Sequence, residues 1–365
     1  MTNRLRELSE HGVSTWVDSL SRELLESGEL ERLVRECSVV GVTSNPTIFE
    51  QALAGGGSYD EQLAGLVSAQ SSAKEAFLAL AVEDVRMACD VLAHVFEDTN
   101  GRDGLVSLEV DPSFAYDRDP TVAEALRLHE LVGRPNLLVK IPGTLPGLEA
   151  IEECIGRGRS INVTLIFSLE RYAAVTETYL RGLERLVADG GDPSVVHSVA
   201  SFFVSRVDTE TDRRLAKLGN TDLQGRLAIV NAKLAYEAYL ATFAGERWEL
   251  LAGKGARPQR CLWASTSTKN PAYRDVLYVE DLIGPDTVNT MPLETIAAFA
   301  DHGVLAETLT QGLDEARALL HELEVAGIDY DDVVETLEVE GVQKFADSFS
   351  KLLAGIDAKR ATLAA

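Results

Sequence analysis

The chain has 365 residues, and 34 Lys and Arg against 58 Asp and Glu give it a formal net charge of −24. Nucleic acids and anionic membrane surfaces are bound through clustered basic residues, whereas the Lys and Arg here are dispersed among acids. The composition therefore disfavours both kinds of partner. With 45% hydrophobic residues, the chain is expected to fold around a sizeable core.

Secretion and membrane insertion are also disfavoured. The N-terminal sequence MTNRLRELSEHG lacks the apolar stretch of a signal peptide, and no apolar run reaches the roughly 18 residues of a membrane span. The four cysteines are far apart and form no CxxC pair, which is typical of reduced thiols and not of a zinc site or a disulfide framework. We therefore expect a soluble protein of the cytoplasm.

Short runs rich in Val, Ile and Leu recur along the chain, and longer stretches with helical periodicity, such as residues 21–37, separate them. The predicted strands cover residues 14–20, 39–44, 105–110, 136–142, 161–167, 194–204, 260–266 and 286–292. Apolar strands that alternate with amphipathic helices indicate a parallel sheet buried on both faces. A count of eight favours a closed (β/α)8 (TIM) barrel over an open doubly wound sheet, so the predicted fold class is α/β.

About 250 residues are enough for such a barrel, so the remainder must form additional helices. They lie in a helical insertion at about residues 50–100, a helical stretch at 224–255 and C-terminal helices at about 308–365. Three consecutive glycines at 55–57 predict a flexible joint inside the first insertion and not a domain boundary. We therefore predict that residues 1–365 form a single domain, with the C-terminal helices in the coat of the barrel.

Catalytic groups of a (β/α)8 barrel lie where its strands end, and polar residues mark most of the predicted ends. These residues are Asp18, Asn45, Glu109, Lys140, Asn162, Thr164, Ser201, Arg206, Ser265 and Lys269. They include acids, amines and a guanidinium but no set of metal ligands. Neither a GxGxxG nor a GxxxxGK[ST] loop follows any strand. The sequence thus predicts neither a metal nor a cofactor.

Lys140 stands in the apolar run NLLVKIP. Burial disfavours the charged form of an amine, and a neutral amine can attack a carbonyl carbon and form a Schiff base. The alternative is a lysine whose stem is buried while its head reaches solvent or an acid. Asp18 and Glu109 are candidates for proton transfer, although a single acid more often neutralises a cation or caps a helix.

Two further positions also have two interpretations. In GVTSNPTIF, Ser44 or Asn45 is expected to cap the following helix, and Asn45 is a candidate for binding a substrate hydroxyl. Arg206, in SFFVSRVDTETD, has the geometry to bind a phosphate. The alternative for Arg206 is an ion pair with Asp208 or Glu210.

The segments GVTSNPTIFE, VSLEVDP, LLVKIPGT, INVTLIFS and ASFFVSRVD occur in this order, and together they resemble the transaldolase family. The resemblance runs from about Asp18 to Asn270, and WASTSTKNPAYRD followed by VNTMP is similar to the longer bacterial members. It implies a (β/α)8 barrel with a Schiff-base lysine on the fourth strand. Lys140 lies on the fourth of the eight strands that the hydrophobic pattern predicts independently of this resemblance.

The resemblance also implies roles for the other strand-end residues. Lys140 would attack C2 of a ketose phosphate, and Asp18 would exchange a proton with the C4 hydroxyl. Glu109 and Thr164 would hold a water that relays protons. The implied substrate-binding residues are Asn45, Asn162, Ser201 and Phe203 for the dihydroxyacetone unit, and Arg206, Ser265 and Lys269 for the phosphate. Lys269 lies in a loop that is a residue or two longer than in short family members, which have an arginine at about this place.

The implied reaction exchanges sedoheptulose 7-phosphate and glyceraldehyde 3-phosphate with erythrose 4-phosphate and fructose 6-phosphate, in the pentose phosphate pathway. Two alternatives are a fructose 6-phosphate aldolase-like lyase, which releases free dihydroxyacetone, and a non-catalytic sugar phosphate-binding protein. Glu109 disfavours the lyase, because the small aldolases that resemble transaldolase lack this acid. The sequence does not show the oligomeric state, and we expect a monomer or a homodimer.

Overall fold

The computed structural model describes residues 3–54, 57–68 and 71–363. Eight parallel strands form a closed barrel in chain order, and the last strand pairs with the first. The strands are β1 (Val13–Val17), β2 (Val39–Val42), β3 (Leu105–Glu109), β4 (Leu137–Pro142), β5 (Ile161–Ile166), β6 (Ser198–Phe203), β7 (Arg260–Ala264) and β8 (Thr287–Met291). The predicted α/β class and (β/α)8 barrel are confirmed, and each predicted strand overlaps an observed one.

Helices surround the barrel and fill the predicted insertions. Those before β4 are α1 (Arg4–Glu10), α2 (Arg22–Glu26), α3 (Glu29–Cys37), α4 (Pro46–Ala54), α5 (Asp60–Ser68), α6 (Ala73–Val91), α7 (Ala93–Asp98) and α8 (Arg118–Val132). Those between β4 and β8 are α9 (Leu145–Gly156), α10 (Leu169–Ala188), α11 (Ser205–Lys217), α12 (Leu227–Thr242), α13 (Glu246–Ala252) and α14 (Leu277–Glu280). After β8 come α15 (Leu293–His302), α16 (Leu313–Val325) and α17 (Tyr330–Leu363).

Two predicted elements depart most clearly from the structure, each for a local reason. The stretch 194–204 begins with a 3₁₀ turn, Pro193–Val195, because the Asp192 side chain accepts a hydrogen bond from the Ser194 amide at 2.9 Å. Strand β6 therefore starts only at Ser198. The single helix predicted at 21–37 is two helices, because the chain turns at Gly28 with a φ of +76°, a conformation that favours glycine.

The longest helix, α17, covers the C-terminal end of the barrel. It packs on α4, α5, α6 and α11, and the Thr47 hydroxyl donates a hydrogen bond to Ser348 at 2.9 Å. Phe349 stacks edge to face on Phe77, with 5.4 Å between ring centroids. Helix α17 therefore packs on the helices that surround the barrel and also contributes residues to the wall of the cavity at the barrel's open end.

Gly55 and Gly56 of the predicted joint lie outside the described residues. Across the ranges that the structure does describe, none of the helices combines the length and the apolar character needed to cross a membrane.

Candidate active site

A cavity of about 940 Å³ opens at the C-terminal end of the barrel, beneath α17. Its lining includes eight of the residues singled out in the sequence: Asp18, Asn45, Lys140, Ser201, Phe203, Arg206, Ser265 and Lys269. The other three, Glu109, Asn162 and Thr164, are buried next to it on β3 and β5. The closed parallel barrel brings the strand-end residues together because all its strands end on the same side.

Lys140 lies at the inner end of the cavity and is only 5% exposed. Strand register places it between Glu109 on β3 and Asn162 on β5. Its Nζ donates to the Ser44 carbonyl oxygen at 3.3 Å and lies 3.5 Å from Glu109 Oε2. The amine is buried, as the interpretation of Lys140 as a nucleophile requires. It also lies beside an acid, as the alternative interpretation predicts.

Glu109 is 9% exposed, and neither oxygen of its carboxylate has a hydrogen-bond partner within the described part of the chain. Burial raises the pKa of Glu109 to about 7, although the nearby Lys140 charge opposes this shift. The buried Thr164 hydroxyl likewise has no partner among the described residues. Since buried polar groups are normally hydrogen-bonded, these two side chains are available to a polar ligand or a water molecule.

The backbone beside Thr164 departs from ordinary strand geometry. Leu165 has a φ of +58°, and the register between β5 and β6 shifts between Val163 and Ile166. A branched apolar residue in the left-handed region is strained. The irregularity falls at the end of β5, next to the unpartnered hydroxyl.

Asp18 follows β1, and its amide donates to the Met291 carbonyl at 2.9 Å. Its carboxylate accepts a hydrogen bond of 2.7 Å from Thr43, whose hydroxyl also lies 2.7 Å from that of Thr290. Burial raises the pKa of Asp18, while the Lys140 charge and the Thr43 hydrogen bond oppose the shift. Thr43 lies at the polar end of the second predicted strand, in GVTSNPTIFE, but the sequence assigned no role to either threonine.

Asn162 is held rigidly between two serines. Its amide nitrogen donates to the Ser107 hydroxyl at 3.0 Å, and its oxygen accepts from Ser201 at 2.7 Å. The sequence reading missed Ser107, yet a signal existed: it stands two residues before Glu109 on β3, which places both side chains on the same face of the strand.

Asn45 caps α4, because its side-chain oxygen accepts a hydrogen bond from the Ile48 amide at 3.0 Å. The Ser44 hydroxyl instead donates to the Ser107 carbonyl at 2.8 Å, so Asn45 and not Ser44 is the cap. Asn45 also lines the cavity, so capping does not preclude contact between its amide nitrogen and a substrate.

Arg206, the second residue of α11, has no ion-pair partner within the described residues. Its guanidinium carbon lies 4.9 Å from the ring centroid of Phe203 and 5.8 Å from that of Phe345. Asp208 accepts hydrogen bonds from a tyrosine and a backbone amide, and Glu210 binds two other arginines. The alternative interpretation of Arg206 as an ion-pair residue is therefore wrong.

Other groups beside Arg206 also suit an anion. The N-terminus of α11 has no side-chain cap, and helix N-termini favour negative charge. The Ser265 hydroxyl lies 2.9 Å from that of Ser205. Lys269 and Lys344 line the same cavity, and neither forms an ion pair within the described chain. Lys344 was missed in the sequence because it belongs to α17.

A family model described as "Transaldolase/Fructose-6-phosphate aldolase" matches residues 15–356. The chain belongs to this family. Transaldolase 1 of Streptomyces coelicolor is 54% identical to the chain, covering 96% of it and 93% of the relative's own length. The transaldolase of Frankia alni is 53% identical over 98% of this chain and 97% of its own, and that of Acidothermus cellulolyticus is 52% identical over 98% and 96%.

These matches to transaldolases over nearly the whole chain confirm the predicted activity. The chain is an enzyme of the transferase type, which moves a dihydroxyacetone unit between sugar phosphates through a lysine Schiff base. Transaldolases of this family catalyse the exchange of sedoheptulose 7-phosphate and glyceraldehyde 3-phosphate with erythrose 4-phosphate and fructose 6-phosphate, in the pentose phosphate pathway.

Proposed function

We propose that Lys140 is the nucleophile of the transaldolase reaction. The observation that carries this proposal is a buried amine 3.5 Å from a buried carboxylate with no other partner among the described residues. Its neutral form would attack C2 of fructose 6-phosphate and give a carbinolamine. Loss of water from this adduct would produce a protonated imine, which accepts the electrons of the C3–C4 bond when that bond breaks.

Glu109 and Thr164 are the proposed proton relay. Carbinolamine formation takes a proton from the amine, and dehydration returns one to the departing hydroxyl, so the same group must act as base and then as acid. A carboxyl with a pKa of about 7 suits both steps near neutral pH. The Thr164 hydroxyl would position the water between carboxyl and substrate.

Asp18 is the proposed base for carbon–carbon cleavage. Its ionised form would accept the proton of the C4 hydroxyl as the C3–C4 electrons pass to the imine. Glyceraldehyde 3-phosphate then leaves, and an enamine remains on Lys140. Protonated Asp18 would return its proton to the oxygen of the acceptor aldehyde. The Thr43 hydrogen bond fixes the carboxylate for both steps.

The remaining strand-end residues are proposed to bind the substrate. Asn45, Asn162 and Ser201 offer amide and hydroxyl groups to the dihydroxyacetone unit, and the Phe203 ring would line its path. Arg206 would bind the phosphate, together with Ser265 and Lys269. Lys344 joins this group because it lines the same cavity as Lys269.

The phosphate assignment predicts a selective loss in Arg206→Gln. A charge-assisted hydrogen bond contributes about 1.5–3 kcal/mol, so kcat/KM for fructose 6-phosphate is expected to fall roughly 10- to 100-fold. Cleavage of unphosphorylated fructose should change less than about threefold. Arg213→Gln is the matched control, because Arg213 lines the cavity but is bound to Glu210. Equal losses with the two sugars would contradict the assignment.

Phe345 is proposed to keep water from the enamine. This residue is 4% exposed, and its ring centroid lies 5.7 Å from Lys140 Nζ. Phe345→Ala should therefore increase the release of free dihydroxyacetone from fructose 6-phosphate without acceptor by about tenfold, since exclusion of water protects reactive intermediates.

Two controls isolate this effect. Phe345→Leu keeps an apolar side chain over the amine, and Leu352→Ala removes a buried side chain of the same helix that does not line the cavity. Both should release dihydroxyacetone at the wild-type rate. Release from Leu352→Ala equal to that from Phe345→Ala would mean that loosening α17, and not opening the site, is the cause.

A direct assay tests the function itself. Fructose 6-phosphate is supplied with and without erythrose 4-phosphate, and sedoheptulose 7-phosphate and free dihydroxyacetone are both measured. Transfer should exceed release by a wide margin. Rapid release without acceptor would instead indicate a lyase, and the absence of any turnover would indicate a binding protein.

The proposal extends to the location, the domain organisation and the oligomeric state of the enzyme. We propose a cytoplasmic enzyme whose residues 1–365 form a single domain, in keeping with the family match from residue 15 to residue 356. It would act as a monomer or as a homodimer. Sedimentation velocity distinguishes these two states.

A further inference from the structure

A second cavity, of about 620 Å³, opens at the opposite end of the barrel from the active site. Its wall comes from the loops that precede β3 to β7 and from the end of α8. The polar side chains that matter here are His129, Arg159, Ser160, His197 and Arg257. None of them has a role in the proposed mechanism.

Two arginines in this wall have no counter-charge within the part of the chain that the structure describes. The Arg159 side chain has no hydrogen bond or ion pair within the described chain, and its Nε is fully enclosed. Among the described residues, the Arg257 side chain has one long hydrogen bond, 3.4 Å, to the Ser194 carbonyl oxygen and no ion pair. An enclosed polar group without a partner is costly. Neither guanidinium is paired with a carboxylate among the described residues, although the chain has 58 acidic residues.

A nearby arginine with a structural role is, in contrast, paired with a carboxylate. Arg260, at the start of β7, forms an ion pair with Asp103 at 2.9 Å and donates to the Ser14 hydroxyl at 2.8 Å. Arg134, which also lines the cavity, is bound by Asp90. Arg159 and Arg257 therefore differ from their neighbours, and they share this property with Arg206 in the active site.

The two imidazoles add hydrogen-bonding groups without adding charge. Burial lowers the pKa of His129 and of His197 to about 4, so both are neutral at pH 7. His129 Nε2 donates to the Ser160 carbonyl at 3.0 Å. The positive charge in the cavity comes from arginine, and Glu97, which also lines it, is an exposed residue.

We propose that this cavity binds the phosphate group of a small phosphate monoester through Arg159 and Arg257. A phosphate dianion balances two guanidinium charges, and its oxygens match the guanidinium geometry. The volume exceeds that of inorganic phosphate, so there is room for the organic part of the ligand. This site is independent of the catalytic roles proposed for the other end of the barrel.

Equilibrium binding of glycerol 3-phosphate and of inorganic phosphate tests the proposal. The full chain is used with Arg206→Gln in the background, which weakens the active-site phosphate position. One equivalent of glycerol 3-phosphate should bind, more tightly than inorganic phosphate. Adding Arg159→Gln and Arg257→Gln should weaken this binding at least tenfold. Acetate at equal ionic strength should not compete.

Two controls guard against trivial explanations. Arg127→Gln removes an exposed arginine that does not line this cavity, and it should leave binding unchanged. Replacing Arg159 and Arg257 by lysine keeps the charge and should retain most of the binding. With Arg206 intact, the variant carrying both Arg159→Gln and Arg257→Gln should keep its transaldolase activity within twofold of wild type. Retained activity would show that this variant is folded.

Several results would overturn the proposal. They are no binding in the Arg206→Gln background, an equal loss with Arg127→Gln, or effective competition by acetate. Binding of inorganic phosphate but not of glycerol 3-phosphate would overturn the monoester assignment. If the double glutamine variant is inactive, the variant with lysine at positions 159 and 257 is measured instead. Complete loss of binding in an active lysine variant would contradict a charge-based site.

Discussion

Lys140→Met is expected to lower kcat by about 10⁴-fold or more, because without the amine no covalent intermediate can form. Methionine has a similar length and fits the apolar surroundings of β4, so the barrel should persist. The measurement is the formation of sedoheptulose 7-phosphate from fructose 6-phosphate and erythrose 4-phosphate. Circular dichroism would show that the variant is folded.

Lys269→Met is the matched control for this experiment. Lys269 lines the same cavity but lies at its rim, where it donates to Ser267 at 2.5 Å. The same substitution there should raise KM for the sugar phosphate and change kcat only a few-fold. If Lys140→Met kept more than about 1% of the wild-type kcat, the proposed nucleophile would be wrong.

Glu109→Gln is expected to lower kcat by roughly 10²- to 10³-fold, the usual scale for loss of a general acid–base. Glutamine has nearly the same shape and retains polarity beside Lys140, but it cannot accept and return a proton. Glu294→Gln is the control, because Glu294 lies in the cavity wall but is exposed. It should stay within about threefold of wild type.

The role proposed for Glu109 also predicts the direction in which kcat/KM changes with pH. The proposed mechanism requires ionised Glu109, which accepts a proton as the amine attacks. Because the pKa of Glu109 is raised to about 7, lowering the pH through 7 protonates this carboxylate and blocks the attack. In the wild type, kcat/KM should fall about tenfold per pH unit below 7. This limb should disappear in Glu109→Gln, and its persistence would assign it to another group, such as Asp18.

The sequence predicts the barrel and its strand-end residues for a simple geometric reason. Once the strands are parallel and closed, Asp18, Glu109, Lys140 and Asn162 must approach one another at one end, whatever the details of the loops. Local exceptions, such as the turn at Pro193–Val195, change a boundary and not the topology.

The contribution of α17 was not predictable in the same way. The periodicity of a 34-residue helix shows that part of its surface is buried, but not which elements it covers. Phe345 and Lys344 reach the cavity through tertiary packing over the barrel end. The hydrogen-bond partners of the site residues also depended on the structure, because the sequence does not reveal that Ser107 orients Asn162 or that Thr43 binds Asp18.

Reductive trapping tests the central claim most directly. Treatment of the enzyme with borohydride in the presence of fructose 6-phosphate should reduce the imine and fix a three-carbon adduct, which peptide mapping by mass spectrometry locates. We expect one modified residue, Lys140, within the peptide that contains NLLVKIPGT. An adduct on Lys269 or Lys344, or equal trapping in Lys140→Met, would contradict the proposed mechanism.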